Sequence, residues 1–235
     1  MELIDDFVIN DNGIAVYCES QDSELVVPDK AEGIAKMLFF DRKYLRKITI
    51  PNSVKTIGSA AFSCCTRLRT VRLPYGLKVI KYYTFYSCRM LRSIHIPQTV
   101  KRIEKCAFFC CFRLKDIHLS EGLCTIEDEA FMGCKSLERI EIPKGVTKIG
   151  ARAFSHCVNL KTVLLPNTLT GIGSFAFGHC ANLRNILIPE SVTEIGENVF
   201  YKEARNISII CKKGGFAYTY ARAHHIHVIE IGDSI

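Results

Sequence analysis

The sequence predicts a right-handed α/β solenoid of eight 23-residue coils, with a cap at each end. Three residue types recur at that interval. All seven prolines share one phase, in which Ser120 holds the remaining position: Pro28, Pro51, Pro74, Pro97, Pro143, Pro166 and Pro189. Phenylalanine repeats without a gap: Phe39, Phe62, Phe85, Phe108, Phe131, Phe154, Phe177 and Phe200. Six of the twelve cysteines also follow the interval: Cys65, Cys88, Cys111, Cys134, Cys157 and Cys180. Such a period indicates a solenoid, in which each coil buries its apolar face against its neighbours.

Residues 1–21 are predicted to form an N-terminal hairpin cap. The apolar runs 7–9 and 14–17 flank residues 10–13, Asn-Asp-Asn-Gly, which have the composition of a tight turn. A solenoid exposes its core at each terminus, so each end requires a cap of different sequence.

The eight coils span residues 22–205 and combine a short strand with a short helical turn. In the coil 137–159 the run L-x-x-I-x-I predicts a strand, and Pro143 ends it because proline lacks a backbone N–H. A helical piece is predicted over 151–156, which turns Phe154 inward. Equivalent side chains of stacked coils lie about 4.8 Å apart, so the phenylalanines are predicted to form a stacked spine.

Residues 206–235 are predicted to form a C-terminal cap. Gly214 and Gly215 precede a helix over 216–223, whose apolar face is predicted to comprise Phe216, Tyr220 and Ala223. A strand over 226–229 follows. Without a linker or low-complexity run, the chain is predicted to be one domain.

The phased cysteines are predicted to be buried structural thiols, since a small buried thiol behaves as an apolar group. Disulfides and a metal site are the alternatives, because neighbouring coils bring Cα atoms within disulfide range. No C-x-x-C motif is present, and reduced thiols favour a reducing compartment. His156 and His179 each precede a phased cysteine, so a nucleophilic Cys–His pair is a further alternative. An inward thiol beside an outward imidazole is the preferred interpretation.

The two residues that flank the middle apolar residue of each strand are predicted to face outward and to contact a partner. The candidate partner-binding residues are Lys47, Arg72, His95, His118, Glu141, Leu164 and Leu187. This face changes from basic and polar to apolar along the array. Leu164 and Leu187, extended by Ile210, form either an exposed contact row or a surface covered by the C-terminal cap.

His95 and His118, with Asp116, have the donor types of a metal site on adjacent coils. Arg72 on the neighbouring coil disfavours a bound cation, so no metal is predicted.

The net charge of +7 is unevenly distributed. Residues 1–45 carry 4 basic and 10 acidic residues, residues 46–118 carry 15 and 2, and residues 119–235 carry 12 and 12. The basic stripe comprises Arg46, Arg69, Arg92 and Lys115 in one phase and Lys55, Lys78 and Lys101 in another. Two interpretations remain open, namely a solvated face or a docking stripe for an acidic protein segment or an anionic glycan. A nucleic acid is disfavoured because no surface aromatics interleave with the stripe.

The repeats resemble the BspA-like leucine-rich repeat family. The resemblance is carried by units such as residues 137–157, L-x-x-I-x-I-P-x-x-V-x-x-I-G-x-x-A-F-x-x-C, and seven of the eight units match well. The first unit has Arg42 in place of the cysteine. The resemblance implies a curved leucine-rich repeat solenoid of α/β class and a protein-binding role, often at a bacterial surface that faces host matrix proteins. It carries no catalytic residue and no cofactor.

The predicted function is a non-catalytic protein–protein interaction module that uses the exposed strand face. The alternative is an adhesin-like surface protein that binds host matrix proteins or anionic glycans. No apolar run is long enough to span a membrane. The N-terminal residues lack the features of a signal peptide, which favours the cytoplasm; a signal removed from the chain would place the protein at the cell surface.

Overall fold

The computed structural model describes residues 1–203 and 205–232 and shows a β-solenoid of about nine turns with 23-residue spacing. Ala204 in the predicted repeats and residues 233–235 of the predicted C-terminal cap lie outside the described residues. Each repeat contributes one strand to each of two parallel-stranded sides and closes with a series of turns.

One side of the solenoid, the strand face, is built from parallel strands. Its strands are β4 (Glu24–Val26), β6 (Lys47–Thr49), β8 (Thr70–Arg72), β10 (Ser93–His95), β12 (Asp116–His118), β14 (Arg139–Glu141), β16 (Thr162–Leu164), β18 (Asn185–Leu187), β20 (Ser208–Lys212) and β21 (His227–Ile231). The middle residues of the strands from β4 to β18 face the core, while the two flanking residues point outward, as strand alternation requires.

The second side is built from parallel two-residue strands. Its strands are β5 (Gly33–Ile34), β7 (Thr56–Ile57), β9 (Val79–Ile80), β11 (Arg102–Ile103), β13 (Thr125–Ile126), β15 (Lys148–Ile149), β17 (Gly171–Ile172) and β19 (Glu194–Ile195). Strands β5 and β7, and consecutive strands from β9 to β19, pair residue for residue at the repeat interval, as Ile126 with Ile149 and Ile149 with Ile172. The strict period of the sequence therefore fixes the register.

The third side, the turn face, differs from the sequence prediction. The helical piece expected over 151–156 is a run of consecutive turns. Arg152 and His156 have φ angles of 53° and 60°, and a residue in this left-handed region ends a right-handed helix. The coils are therefore built from strands and turns, with little helix.

Backbone hydrogen bonds on the turn face alternate between local and inter-coil partners. The Ala153 N–H donates to the Gly150 carbonyl oxygen at 3.3 Å, whereas the next N–H, of Phe154, donates to the Ala176 carbonyl oxygen in the following coil at 2.9 Å. Consecutive coils are therefore hydrogen-bonded on the turn face, in addition to the strand pairings of the other two sides.

The core contains the predicted phenylalanine spine. Its eight rings stack from Phe39 to Phe200 with centroids 5.1–6.1 Å apart and interplanar angles of 3–12°. The phased cysteines are buried beside it. Ser120, at the position that other repeats fill with proline, is buried and donates from Oγ to the Pro97 carbonyl oxygen at 3.1 Å.

Three antiparallel strands precede the repeats. They are β1 (Glu2–Ile4), β2 (Phe7–Ile9) and β3 (Ile14–Cys18), and β3 continues in parallel onto β5. The sequence prediction contained the second and third of these strands but not the first. Phe7 contacts the first ring of the spine, Phe39, edge-on at 6.1 Å. Arg42, which replaces the phased cysteine, donates to the carbonyl oxygens of Cys18 and Ser20.

The chain after the last repeat forms helix α1 (Phe216–Ala223) between β20 and β21. Its buried face differs from the prediction, since it comprises Ala217, Tyr220 and Ala221, whereas Phe216 is 47% exposed. The two alanines allow the helix to approach the sheet closely. Within the described part of the chain, no helix is long and apolar enough to cross a membrane.

Candidate functional site

The outward residues of the strand face form two rows along the solenoid. The first row contains the leading residue of each strand, and its paired members include Lys47 with Thr70 and Ser93 with Asp116. The second row contains the residue two positions later. From β4 to β21 it reads Val26, Thr49, Arg72, His95, His118, Glu141, Leu164, Leu187, Ile210 and Ile229.

A groove of about 980 Å³ lies on this face between β6 and β14. Five of the predicted contact residues line it: Lys47, Arg72, His95, His118 and Glu141. Thr70 and Ser93 are short side chains between the longer Lys47 and Arg139, which opens the groove at its centre. Leu164 and Leu187 lie beyond it. The structure therefore brings five of the seven predicted residues together.

Most cations in the groove are paired with carboxylates of a neighbouring coil or of their own strand. Lys47 contacts Glu24 at 3.3 Å, and Arg139 contacts Glu141 at 3.4 Å. Arg72 forms no ion pair with any residue that the structure describes. It is therefore the groove cation available to a carboxylate of a partner.

Glu138 offsets the positive charge at the C-terminal end of the row formed by Arg46, Arg69, Arg92 and Lys115. It lies between Lys161 and Lys115, at 3.2 and 3.3 Å from their ammonium groups. Hydrogen bonds from these two lysines, together with their charge, hold the pKa of the Glu138 carboxyl below its usual range. The high positive charge of residues 46–118 is thus offset at its C-terminal boundary.

The two phases of the basic stripe form two separate rows. Arg46, Arg69, Arg92 and Lys115 directly precede the strand-face strands, and Lys55, Lys78 and Lys101 precede strands of the second side. All seven side chains are exposed. The proline-containing turn lies between the two rows in each coil, so the rows face different directions.

The imidazoles of His95 and His118 stack on the strand face with centroids 5.8 Å apart and an interplanar angle of 6°. Over residues 1–203 and 205–232, no group of three or more histidine, cysteine, aspartate or glutamate side chains is arranged to hold a metal ion. The pair instead presents two polar, aromatic surfaces inside the groove.

An exposed apolar row occupies the C-terminal end of the strand face. Leu164, Leu187 and Ile229 are 40%, 39% and 40% exposed, and Ile210 is half-buried between the last two. The alternative, coverage of the two leucines by the C-terminal cap, is wrong because β21 extends the sheet edge-on and adds Ile229 to the row. We call these four residues the apolar row.

The ladder cysteines do not form the Cys–His site considered from the sequence. The Cys157 thiol donates to the Phe131 carbonyl oxygen at 3.3 Å, and burial raises its pKa well above 9. His156 points to the opposite side, where its ring stacks on His179 at 4.1 Å. All twelve cysteines carry free thiols in the structure.

One surface was missed by the sequence analysis. A cavity of about 520 Å³ on the turn face is lined by Phe40, Cys64, Tyr83, Tyr86 and Phe109, among others. The Tyr86 and Phe109 rings stack at 5.0 Å. The signal available in the sequence was the pair Tyr86 and Phe109, which lie one repeat apart.

The sequence matches the family model described as BspA type Leucine rich repeat region over residues 13–137 and 124–224. Among solved structures, a leucine-rich repeat protein from Bacteroides ovatus ATCC 8483 is 24% identical, with a TM-score of 0.69 over 97% of this chain and 66% of that chain. The T. pallidum Leucine Rich Repeat protein is 23% identical, with a TM-score of 0.55 over 83% of this chain and 84% of that chain. No curated protein matches the sequence significantly. At these identities the structural likeness shows the fold alone.

Proposed function

The chain belongs to the BspA-type leucine-rich repeat family, and on that premise we propose that it is a non-catalytic protein-interaction module that binds a polypeptide across its strand face. The observation that carries the proposal is the apolar row, four aliphatic side chains in register beside the polar stretch of the second row from Thr49 to Glu141. Exposed apolar patches with polar surroundings are typical of contact sites. The proposal treats the solenoid as right-handed, with eight coils at 22–205 between caps at 1–21 and 206–235.

The groove adds a second point of recognition. Arg72 offers an unpaired guanidinium, which binds carboxylates in a bidentate manner. Arg72 and Leu164 are four coils apart in the same row, which corresponds to about 19 Å at about 4.8 Å per coil. An extended segment spans that distance in roughly six residues at about 3.3 Å each. The partner segment we propose carries an acidic residue about six positions from an aliphatic cluster.

The test compares protein partners retained by the wild type and by paired variants. Arg72→Glu and Leu187→Glu are expected to weaken binding of the same partner by at least about tenfold, since both remove central contacts. Arg113→Glu and Phe40→Glu are matched controls, because both residues are exposed and lie off the strand face. Identical partner sets for all five proteins would refute binding at the strand face.

A second candidate is an adhesin-like role in which the chain binds a host matrix protein or an anionic glycan. The row of Lys55, Lys78 and Lys101 supports it, because exposed charges about 4.8 Å apart match closely spaced anionic groups. Retention on immobilised heparin tests this role. Elution at or below about 0.2 M salt, or no loss of retention when the three lysines are changed to glutamine, would count against it.

A further inference from the structure

Among the described residues, β21 is the last strand of the strand face, and its outer edge, the open edge, is unpaired. β21 is five residues long and, within the described ranges, pairs with β20 alone. Open edges of this length promote pairing with another chain unless charged side chains, especially lysine, a proline or a bulge interrupt them. The sequence of β21, His-Val-Ile-Glu-Ile, contains no lysine or proline, and its one carboxylate, Glu230, is paired with Lys213 at 3.7 Å.

The hydrogen bonds of β20 show which groups of β21 face outward. The Ser208 N–H donates to Arg184, and the Ile210 carbonyl oxygen accepts from Ile188, so both residues bond toward β18. Ile209 and Cys211, which alternate with them, bond toward β21. In a parallel pair each such residue bonds to the residues before and after its register partner. Ile209 is in register with Val228 and therefore bonds to His227 and Ile229. The backbone N–H and C=O groups of Val228 and Glu230 thus point away from β20, toward the open edge.

We propose that β21 pairs with β21 of a second copy of this chain, antiparallel and around a two-fold axis at Ile229. Val228 then exchanges two backbone hydrogen bonds with the partner's Glu230, and Glu230 exchanges two with the partner's Val228. Ile229 lies opposite the partner's Ile229 as a non-hydrogen-bonded pair, in which Cα atoms are about 4.5 Å apart and side chains are closest. The pairing is isologous and closes after two copies.

The side chains at this edge suit self-pairing. Ile229 is 40% exposed and meets an identical aliphatic side chain, so the apolar row continues across the axis and doubles in length. His227 lies opposite the partner's Ile231, and no like-charged pair is placed face to face. Phe216 of α1, at the same end of the solenoid, is 47% exposed and adds a second apolar group.

The other end of the strand face is less suited to self-association. Its edge strand, β4, has three residues, and one of them is Glu24. Residues 1–45 carry 10 acidic and 4 basic residues, so two copies joined there would repel each other. Residues 206–235 carry 3 basic and 2 acidic residues and present no such barrier. Pairing of β21 with β4 of another copy is head-to-tail and would produce open filaments instead of dimers.

Sedimentation of the 235-residue chain over a dilution series tests the proposal. The expected wild-type mass at high concentration is twice 26.5 kDa. Ile229→Lys places two ammonium groups face to face, and Glu230→Pro removes a donor that points to the open edge, where proline is tolerated. Both variants are expected to sediment as monomers with unchanged circular dichroism. Val26→Lys is the matched control, since Val26 occupies the same row at the other end and is 68% exposed; it should remain dimeric.

A wild type that stays at 26.5 kDa at every concentration would overturn the proposal. Species larger than a dimer would indicate head-to-tail stacking, and loss of the dimer in Val26→Lys would move the contact to the other end. Either result refutes pairing at β21. Because the readout is the mass of the isolated chain, it is independent of partner binding at the strand face.

Discussion

The thiol of Cys111 donates a hydrogen bond to the carbonyl oxygen of Phe85, 3.1 Å away and in the preceding coil. The same carbonyl oxygen accepts the backbone N–H of Cys88 at 3.1 Å. The relationship recurs for all six phased cysteines, with Sγ–O distances of 2.9–3.3 Å. The cysteine ladder and the phenylalanine spine are therefore linked by hydrogen bonds, and the thiol provides a donor that another small apolar residue lacks.

Removal of one ladder thiol should destabilise the fold. Cys111→Ala removes the hydrogen bond to Phe85 and leaves a small void in a fully buried position. We expect the free energy of unfolding to fall by about 1–2 kcal/mol, measured by urea denaturation. Cys124→Ala, at an exposed cysteine, is the control and should lie within about 0.5 kcal/mol of the wild type. Equal values for the two variants would contradict a structural role of the ladder.

Thiol reactivity should separate the cysteines by burial. Burial raises the pKa of Cys65 to about 12 and that of Cys88 well above 9, so ladder thiols are protonated as well as inaccessible. In the native protein an aromatic disulfide reagent is expected to modify the exposed Cys124 first and to leave the ladder unreacted. After denaturation without reductant all twelve thiols should react. A count below about ten would indicate disulfides, contrary to the structure.

The stacked pair His156 and His179 should make stability depend on pH. Burial, followed by the charges of His179, Lys135 and Lys202, holds the pKa of His156 below its usual 6.5. The unfolded chain therefore binds the proton more tightly than the folded one. Stability is full above the unfolded pKa and is lost as pH falls through about 6.5 toward the folded pKa.

We accordingly expect Tm to fall between about pH 8 and about pH 5 in the wild type, and to fall less in His156→Gln. His225→Gln, at an exposed residue that follows α1, serves as the control and should keep the wild-type dependence. The same slope in all three proteins would show that the stacked pair does not contribute.

Ser120→Pro should stabilise the protein, because seven equivalent positions already hold proline. Proline restricts the unfolded chain and contributes about 0.4–1 kcal/mol where the backbone suits it. The hydrogen bond to Pro97 is lost, but that carbonyl oxygen still accepts the Val100 N–H at 3.0 Å. Ser120→Ala loses the hydrogen bond to the Pro97 carbonyl oxygen and does not restrict the unfolded chain. It should therefore lower the free energy of unfolding by about 0.5–1.5 kcal/mol. Calorimetry should rank the proline variant above the wild type and the alanine variant below it.

The interior of the coils could be predicted from the sequence, whereas the turn face could not. Phe154 and Cys157 are inward as predicted, because a strict period places equivalent residues in equivalent environments. The left-handed conformations of Arg152 and His156 leave no compositional signal, since residues other than glycine occupy them. The segment therefore resembled a helix in its apolar spacing alone.

The strand face could be predicted only in part. Ile229 was not assigned to the second row because it follows Ile210 by 19 residues, after the inserted helix, and not by 23. The ion pairs of Glu138 with Lys115 and Lys161 form because these side chains reach across one coil. A count of charges along the chain does not reveal such contacts.

The alternating hydrogen bonds of the turn face have a mechanical consequence. Because each coil is bonded to the next on the turn face in addition to the strand pairings, tension applied between the chain termini is expected to strip the outermost coil as a unit before the next one is loaded. Each detached coil releases 23 residues, or roughly 80 Å of extended chain at about 3.3–3.6 Å per residue. The molecule should therefore lengthen under force in a regular staircase whose step height is set by its repeat length.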